Sequence, residues 1–319
     1  GIFSNLNQLN EISFDLDYNT LCGMTRAEIE ATFSPELEAL AVKSNATCRQ
    51  VMDRLTRQYD GYRFTKDEEF TSMYNPFSVL SALQKRSYGN YWFASGTPTF
   101  LVEMLQKTDF DLREMEGIEV NEASLSDDRA DINNPIPMIY QSGYLTIKDY
   151  DERFRMYTLG FPNEEVKYGF LNFVSPFYTP IAQTDTSFYI GKFIRELESG
   201  DVDAFLTRLR CFFAGIPYDL NDRTERHYQT VFYLVFQLMG QFTETEVRSA
   251  RGRADAVVKT PDYIYVFEFK LNDSAEAALR QIDEKGYLLP YQADGRKVVK
   301  VGVAFEKEER NIGEWVIGE

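Results

Sequence analysis

Asp255, Glu268 and Lys270 are the residues of this chain whose types and spacing could do chemistry. Glu268-Phe269-Lys270 ends the run from Tyr263 to Lys270, whose aromatic and branched residues predict a strand. Residues two apart on a strand share a face, so Glu268 and Lys270 point one way and Phe269 the other. Val266, Phe267 and Leu271 flank them, which predicts a buried central strand where two neighbouring charges need a reason. A magnesium ion supplies one, because it binds through one or two carboxylates and completes its shell with water and phosphate oxygens. Asp255 stands 13 positions before Glu268, on a predicted strand joined to the next by a turn at Pro261-Asp262. An antiparallel hairpin of that length brings Asp255 beside Glu268. Lys270 is then expected to orient or activate an attacking water, or to stabilise charge developing on a phosphoryl group. The plainer alternative is an exposed edge strand carrying an ion pair of little energetic consequence, and the apolar flanks argue against it.

The elements that must hold these residues read as an alternation. Glu225 to Gly240 carries Val231, Leu234, Val235 and Leu238 at helical spacing. Strands are expected at Phe242 to Arg248, Ala254 to Lys259 and Tyr263 to Lys270, then a helix from Ala275 to Leu289 and a strand from Val298 to Phe305. The order α-β-β-β-α-β predicts an α/β sandwich over residues 216–319. Residues 1–108 read as helical. Thr25 with Glu28 forms a capping-box pattern, Val51, Leu55 and Tyr59 recur at four-residue spacing, and Asn75-Pro76 opens a further helix. Asp109 to Asn134 is acidic and irregular and reads as a linker. Pro135 to Leu171 has the outline helix, hairpin, helix, with Asn163 as an N-cap, which is the outline of a winged helix or of a plain α/β linker domain. Ser187 to Leu209 reads as helical again, and Gly215-Ile216-Pro217 closes a middle segment spanning 109–215.

Gly252-Arg253-Ala254-Asp255 followed by Glu268-Phe269-Lys270 resembles the PD-(D/E)xK nuclease superfamily, and the G-x-x-D form is similar to its RecB-like branch. The resemblance implies a restriction-endonuclease-like fold, hydrolysis of nucleic-acid phosphodiesters (DNA first), and Mg2+ as cofactor with Mn2+ able to substitute. It adds Gln281 and Tyr287 on the following helix to the catalytic set and Glu225 on the preceding helix to the metal ligands. Ala254 stands where the family name has Pro. The bland readings are a surface amide for Gln281, a core aromatic for Tyr287 and a helix-dipole acid for Glu225. Upstream, Ile2-Phe3-Ser4-Asn5-Leu6-Asn7, Tyr59-Asp60-Gly61-Tyr62, Tyr74-Asn75-Pro76-Phe77 and Tyr91-Trp92-Phe93-Ala94-Ser95-Gly96-Thr97-Pro98 resemble the later, lid part of a bacterial AAA-ATPase-like domain. That implies a nuclease forming part of a larger ATPase-nuclease protein. The chain contains no G-x-x-x-x-G-K-S/T loop, since Gly191-Lys192 continues with Phe193 and has Thr186 at the first glycine position. No ATP hydrolysis is therefore expected of it.

Composition narrows the alternatives. The 319 residues carry a net charge of −16, which by itself opposes a phosphate-binding surface. Residues 246–319 hold 12 Lys+Arg against 14 Asp+Glu, so nearly all of the excess negative charge lies upstream, while Arg248, Arg251 and Arg253 cluster just before Asp255. The acidic upstream part suits a protein partner. It also keeps open a second reading, a non-catalytic interaction or assembly module on a nuclease-like fold. One histidine, His227, and three distant cysteines (Cys22, Cys48, Cys211) give neither a zinc site nor a disulfide framework, and they fit the cytoplasm. No apolar run is long enough to span a membrane, and the first residues lack a signal-peptide pattern.

Overall fold

The computed structural model describes residues 14, 16–67, 72–96, 101, 104–105, 110–126, 134–179, 182, 185–216, 225–247, 255–271, 273–306 and 311–318. Contacts divide the chain into two compact units, residues 1–170 and 171–319. The boundaries expected near 108 and 215 both fall inside units. Among the described residues no helix is long and apolar enough to cross a membrane.

The first unit begins with helices α1 (Arg26–Thr32), α2 (Ser34–Ser44), α3 (Cys48–Tyr59), α4 (Pro76–Lys85) and α5 (Tyr91–Ala94). Their starts follow local chemistry. Thr25 and Glu28 form the expected capping box, and Asn75 accepts from the Ser78 N–H while Pro76 occupies the first turn. Val51, Leu55 and Tyr59 are fully buried against Ile29, Leu40 and Val79, which makes the four-residue spacing a core stripe. Then come β1 (Ile118–Asn121), α6 (Glu122–Ser126), α7 (Ile136–Gln141), β2 (Thr146–Asp151), β3 (Met156–Gly160) and α8 (Glu164–Val174), the helix in which the division falls. Asn163 accepts from the Val166 N–H, as a cap should. The strands pair antiparallel in the order β1-β3-β2. β1 lies within the stretch read from sequence as an irregular linker. It has only four residues, two of them polar, and pairing with β3 rather than its own pattern makes it a strand.

The second unit comprises α9 (Thr186–Glu198), α10 (Val202–Ala214), α11 (Glu225–Met239), β4 (Glu244–Val247), β5 (Ala256–Lys259), β6 (Tyr263–Lys270), α12 (Ala275–Glu284), β7 (Lys297–Glu306) and β8 (Asn311–Gly318). The helical stretch expected over 187–209 consists of two helices, broken at Ser199-Gly200-Asp201, where Asp201 caps the second by accepting from the Ala204 N–H. The sheet runs β4-β5-β6-β7-β8, with β6 and β7 parallel and the other pairs antiparallel. The α/β architecture is as expected, with β8 added as an edge strand after β7.

Both faces of this sheet are covered. Tyr265, Phe267 and Phe269 point to one side. Phe267 packs there on Phe205 of α10 and Phe236 of α11, Phe269 lies 3.8 Å between ring centroids from Phe232, and the Tyr265 hydroxyl donates to the Leu197 carbonyl at 2.6 Å. Ile264 and Val266 point to the other side, where with Val257 they pack on Ile282 of α12. This aromatic packing is why helices α9 and α10, assigned from sequence to a middle segment, group with the C-terminal sheet. Phe193, Phe205 and Phe213 are buried at 0–2% exposure. Burying each contributes about 2–3 kcal/mol.

Candidate metal and phosphodiester site

The hairpin of β5 and β6 sets the geometry. Ala256 pairs with Phe267 and Val257 with Val266, so the next step along the ladder puts Asp255 opposite Glu268. Strand alternation turns both toward α12. Asp255 completes that step with its side chain, because its Oδ2 accepts from the Phe269 N–H at 2.8 Å. Lys270, two residues past Glu268, shares the face.

Glu268 is only 3% exposed. Its Oε1 accepts from Lys270 Nζ at 3.5 Å and from Gln281 Nε2, while Gln281 Oε1 accepts from Lys270 Nζ. One oxygen therefore carries two donors. The other, Oε2, is buried and has no hydrogen-bond partner among the described residues. An ionised oxygen left so is costly. Burial accordingly pushes the Glu268 carboxyl up to about 7, the negative charge of Asp255 pushes the same way, and Lys270 and the Asp255 N–H oppose both. Burial also raises Asp255, against the Phe269 N–H and Lys270.

Two residues reach the site from α12. Ser274 caps this helix by accepting from the Ala277 N–H at 3.1 Å, and Gln281 projects from its last turn into the Glu268-Lys270 pair. Tyr287, expected on the same helix, lies just beyond it. Gly286 adopts a positive φ of 65° and the Tyr287 N–H donates back to the Ile282 carbonyl at 3.1 Å, a left-handed helix end that favours glycine. The Tyr287 side chain still hydrogen-bonds to that of Gln281 and packs on the Val257, Ile264, Val266 and Ile282 cluster. It thus has a bond to the site and a place in the core at once. Glu225 is the first residue of α11, and its side chain, like that of His227, lies outside the described part. Gly252-Arg253-Ala254, Arg248 and Arg251 also lie outside it, as do residues 1–13, 97–98 and 217.

Residues 223–315 match the PD-(D/E)XK nuclease superfamily. The chain is also 33% identical, over an alignment covering 99% of it, to a protein of Azotobacter chroococcum mcd 1 named "Uncharacterized protein in vnfD 5'region". The chain spans 60% of that relative's length. No solved structure matches it.

Members of the PD-(D/E)XK superfamily generally use divalent metal ions, and the residues here suit one. Asp255 and Glu268 offer two adjacent carboxylates, one with a buried oxygen that no donor satisfies, and Mg2+ needs no more than that from a protein. Among the described residues no group of three or more His, Cys, Asp or Glu is placed to hold a metal.

One residue of the arrangement escaped the sequence reading. Gly302 on β7 pairs with Glu268, and a Cβ there would meet the Ala275 carbonyl at 2.2 Å and the Leu279 N–H nitrogen at 2.8 Å. Only glycine lets α12 settle this close to the sheet, which is what brings Gln281 within reach of Glu268. The available signal was a glycine between the apolar residues Val301 and Val303 of a strand, a common mark of close backbone approach.

Proposed function

We propose that the C-terminal unit hydrolyses nucleic-acid phosphodiesters, DNA first, with Mg2+ held by Asp255 and Glu268. The observation that carries the reading is the half-buried Asp255 beside the buried Glu268 on the β5-β6 hairpin, with the Lys270 ammonium on the same face. A bound divalent cation would supply positive charge to the phosphoryl oxygens and polarise the scissile group. The chain's own residues do the rest. Asp255 and Glu268, as carboxylates, would hold the cation. Gln281 holds the Lys270 ammonium beside Glu268, where it can orient the attacking water and bond a phosphoryl oxygen as charge builds there. The reaction forms a bond from water oxygen to phosphorus and breaks the bond to the leaving ester oxygen, which takes up a proton as water loses one. Tyr287 steadies Gln281, and Glu225 is the candidate third acid.

The wider reading is a RecB-like nuclease within a larger cytoplasmic ATPase-nuclease protein, with the ATP-binding loop outside this chain. Cleavage assays with purified chain test it. DNA cutting that needs Mg2+ or Mn2+, stops with chelator and disappears in Asp255→Ala and Lys270→Ala is expected. Activity surviving either substitution in a folded protein would overturn the assigned roles. Calorimetry with ATP is expected to show no binding.

A further inference from the structure

The first unit carries a basic surface that the hydrolytic reading does not use. α3 presents Arg54 and Arg57, one turn apart and both exposed. The Arg54 guanidinium lies 3.9 Å over the Tyr88 ring, and Ser44 hydrogen-bonds to Tyr88. Ser44, Asn45, Gln50, Arg54, Arg57 and Tyr88 line a cleft of about 420 Å³. Lys43, in the last turn of α2, donates to the Lys85 carbonyl at 3.3 Å, and Lys85 and Arg86 end α4 beside it. Among the described residues none of Lys43, Arg54, Arg57, Lys85 and Arg86 has a carboxylate at ion-pair distance. The acid lining the cleft, Asp53, pairs instead with Arg26 at 3.6 Å. Five unneutralised cations gathered on one face of a chain with net charge −16 call for an anionic partner.

We propose that this face, centred on Arg54, Arg57 and Tyr88, binds the phosphate backbone of nucleic acid. Lys43, Lys85 and Arg86 sit at helix C-termini, where the dipole alone would favour a cation. Arg57, in the last turn of α3, shares that reason, but Arg54, in the middle of the helix, does not. Guanidinium groups bond phosphate oxygens in pairs, and a ring beneath Arg54 holds its fork in place before a ligand arrives. Ser44, Asn45 and Gln50 add neutral donors of the kind that accompany phosphate contacts. The net charge of −16 disfavours polyanions on the chain as a whole, which sets this face apart. The choice of nucleic acid over an acidic polypeptide rests on the proposed nuclease reading.

The test uses the full chain carrying Asp255→Asn, so that the probe is not cut, with labelled single-stranded and duplex DNA in a salt series followed by anisotropy. Arg54→Ala with Arg57→Ala is expected to weaken binding by about tenfold and to lower the slope of log affinity against log salt by about 1.8 on duplex, two phosphate contacts fewer. Arg54→Lys with Arg57→Lys should retain most of the slope. A control pair on the β2-β3 turn, Arg153→Ala with Arg155→Ala, should leave it alone. Unchanged affinity and slope, an equal loss in the control pair, no DNA binding at all, or tighter binding of polyglutamate than of DNA each overturns the proposal. If the double variant fails to fold, Lys85→Ala with Arg86→Ala reads the same face. Metal-dependent cleavage by the unaltered chain reports separately on Asp255 and Glu268, so either reading can fail alone.

Discussion

Each unit of the molecule buries one glutamate almost completely, Glu165 at 1% exposure in the first and Glu268 at 3% in the second. Burial raises the carboxyl of both. Their surroundings differ in how many donors they have. Glu165 Oε2 accepts from Ser78 Oγ at 2.7 Å and Oε1 from the Trp92 N–H at 2.8 Å, with the Tyr91 and Phe93 N–H groups adding to the same side. Its charge stands in the first turn of α8 and answers the unpaired N–H groups that open α5. Glu268 has two side-chain donors crowded on one oxygen, only the Asp255 N–H to add to them, an Oε2 without a partner among the described residues, and a second carboxylate across the strand pair. A buried carboxylate with every oxygen bonded ties elements together. One with an orphaned oxygen and an acidic neighbour leaves negative charge for a cation to neutralise.

This contrast is breakable by mutation. The largest effect concerns chemistry: Glu268→Ala is expected to lower metal-dependent cleavage by at least about a thousandfold, the scale of losing a principal electrostatic group. Glu165→Ala should act through stability instead, leaving the residual turnover per folded molecule metal-dependent. Equal effects of the two on turnover per folded molecule would erase the distinction. Next in size is the stability of the metal-free protein, where the order reverses. Glu165→Ala strands the Ser78 hydroxyl and the Trp92 N–H and should cost about 3 kcal/mol in denaturant unfolding. Glu268→Gln removes a buried charge opposed by Asp255 and should gain about 1 kcal/mol at pH 8.

A third expectation concerns pH. The folded Glu268 carboxyl titrates near 7, above the ordinary carboxylate range, so its contribution to stability is full below the unfolded pKa and is lost as pH rises through about 7. Metal-free protein should therefore lose stability between about pH 4.5 and 7, and the loss should shrink in Glu268→Gln and on adding Mg2+. Thermal unfolding with and without chelator checks this. A loss of the same size in Glu268→Gln would assign it elsewhere. Gly302→Ala is expected to cost about 1–3 kcal/mol as α12 is pushed from the sheet. If Gln281 is positioned by that contact, its turnover should fall further than the lost folded fraction explains.

The local pieces of the site were legible because they depend on short-range rules. Two-residue periodicity put Glu268 and Lys270 on one face, and the short Pro261-Asp262 turn placed Asp255 against the end of β6. Capping at Thr25, Asn75 and Asn163 was equally local. β1 and β8 were not legible, since four mixed residues and an edge strand depend on their partners for identity. Nor was the end of α12 before Tyr287, which turns on the left-handed backbone of Gly286.

By itself, then, the sequence determined which residue types could act and which of them alternate onto a common face, because backbone geometry at close range follows from residue type. Only the tertiary structure decided how those charges live. The approach of α12 over Gly302 delivers Gln281 to the Glu268-Lys270 pair, and the aromatic packing of α10 and α11 buries the opposite face of β6. Whether a carboxylate is satisfied, as Glu165 is, or left with a bare oxygen, as Glu268 is, depends on donors brought from distant parts of the chain, and no spacing rule along the sequence encodes them.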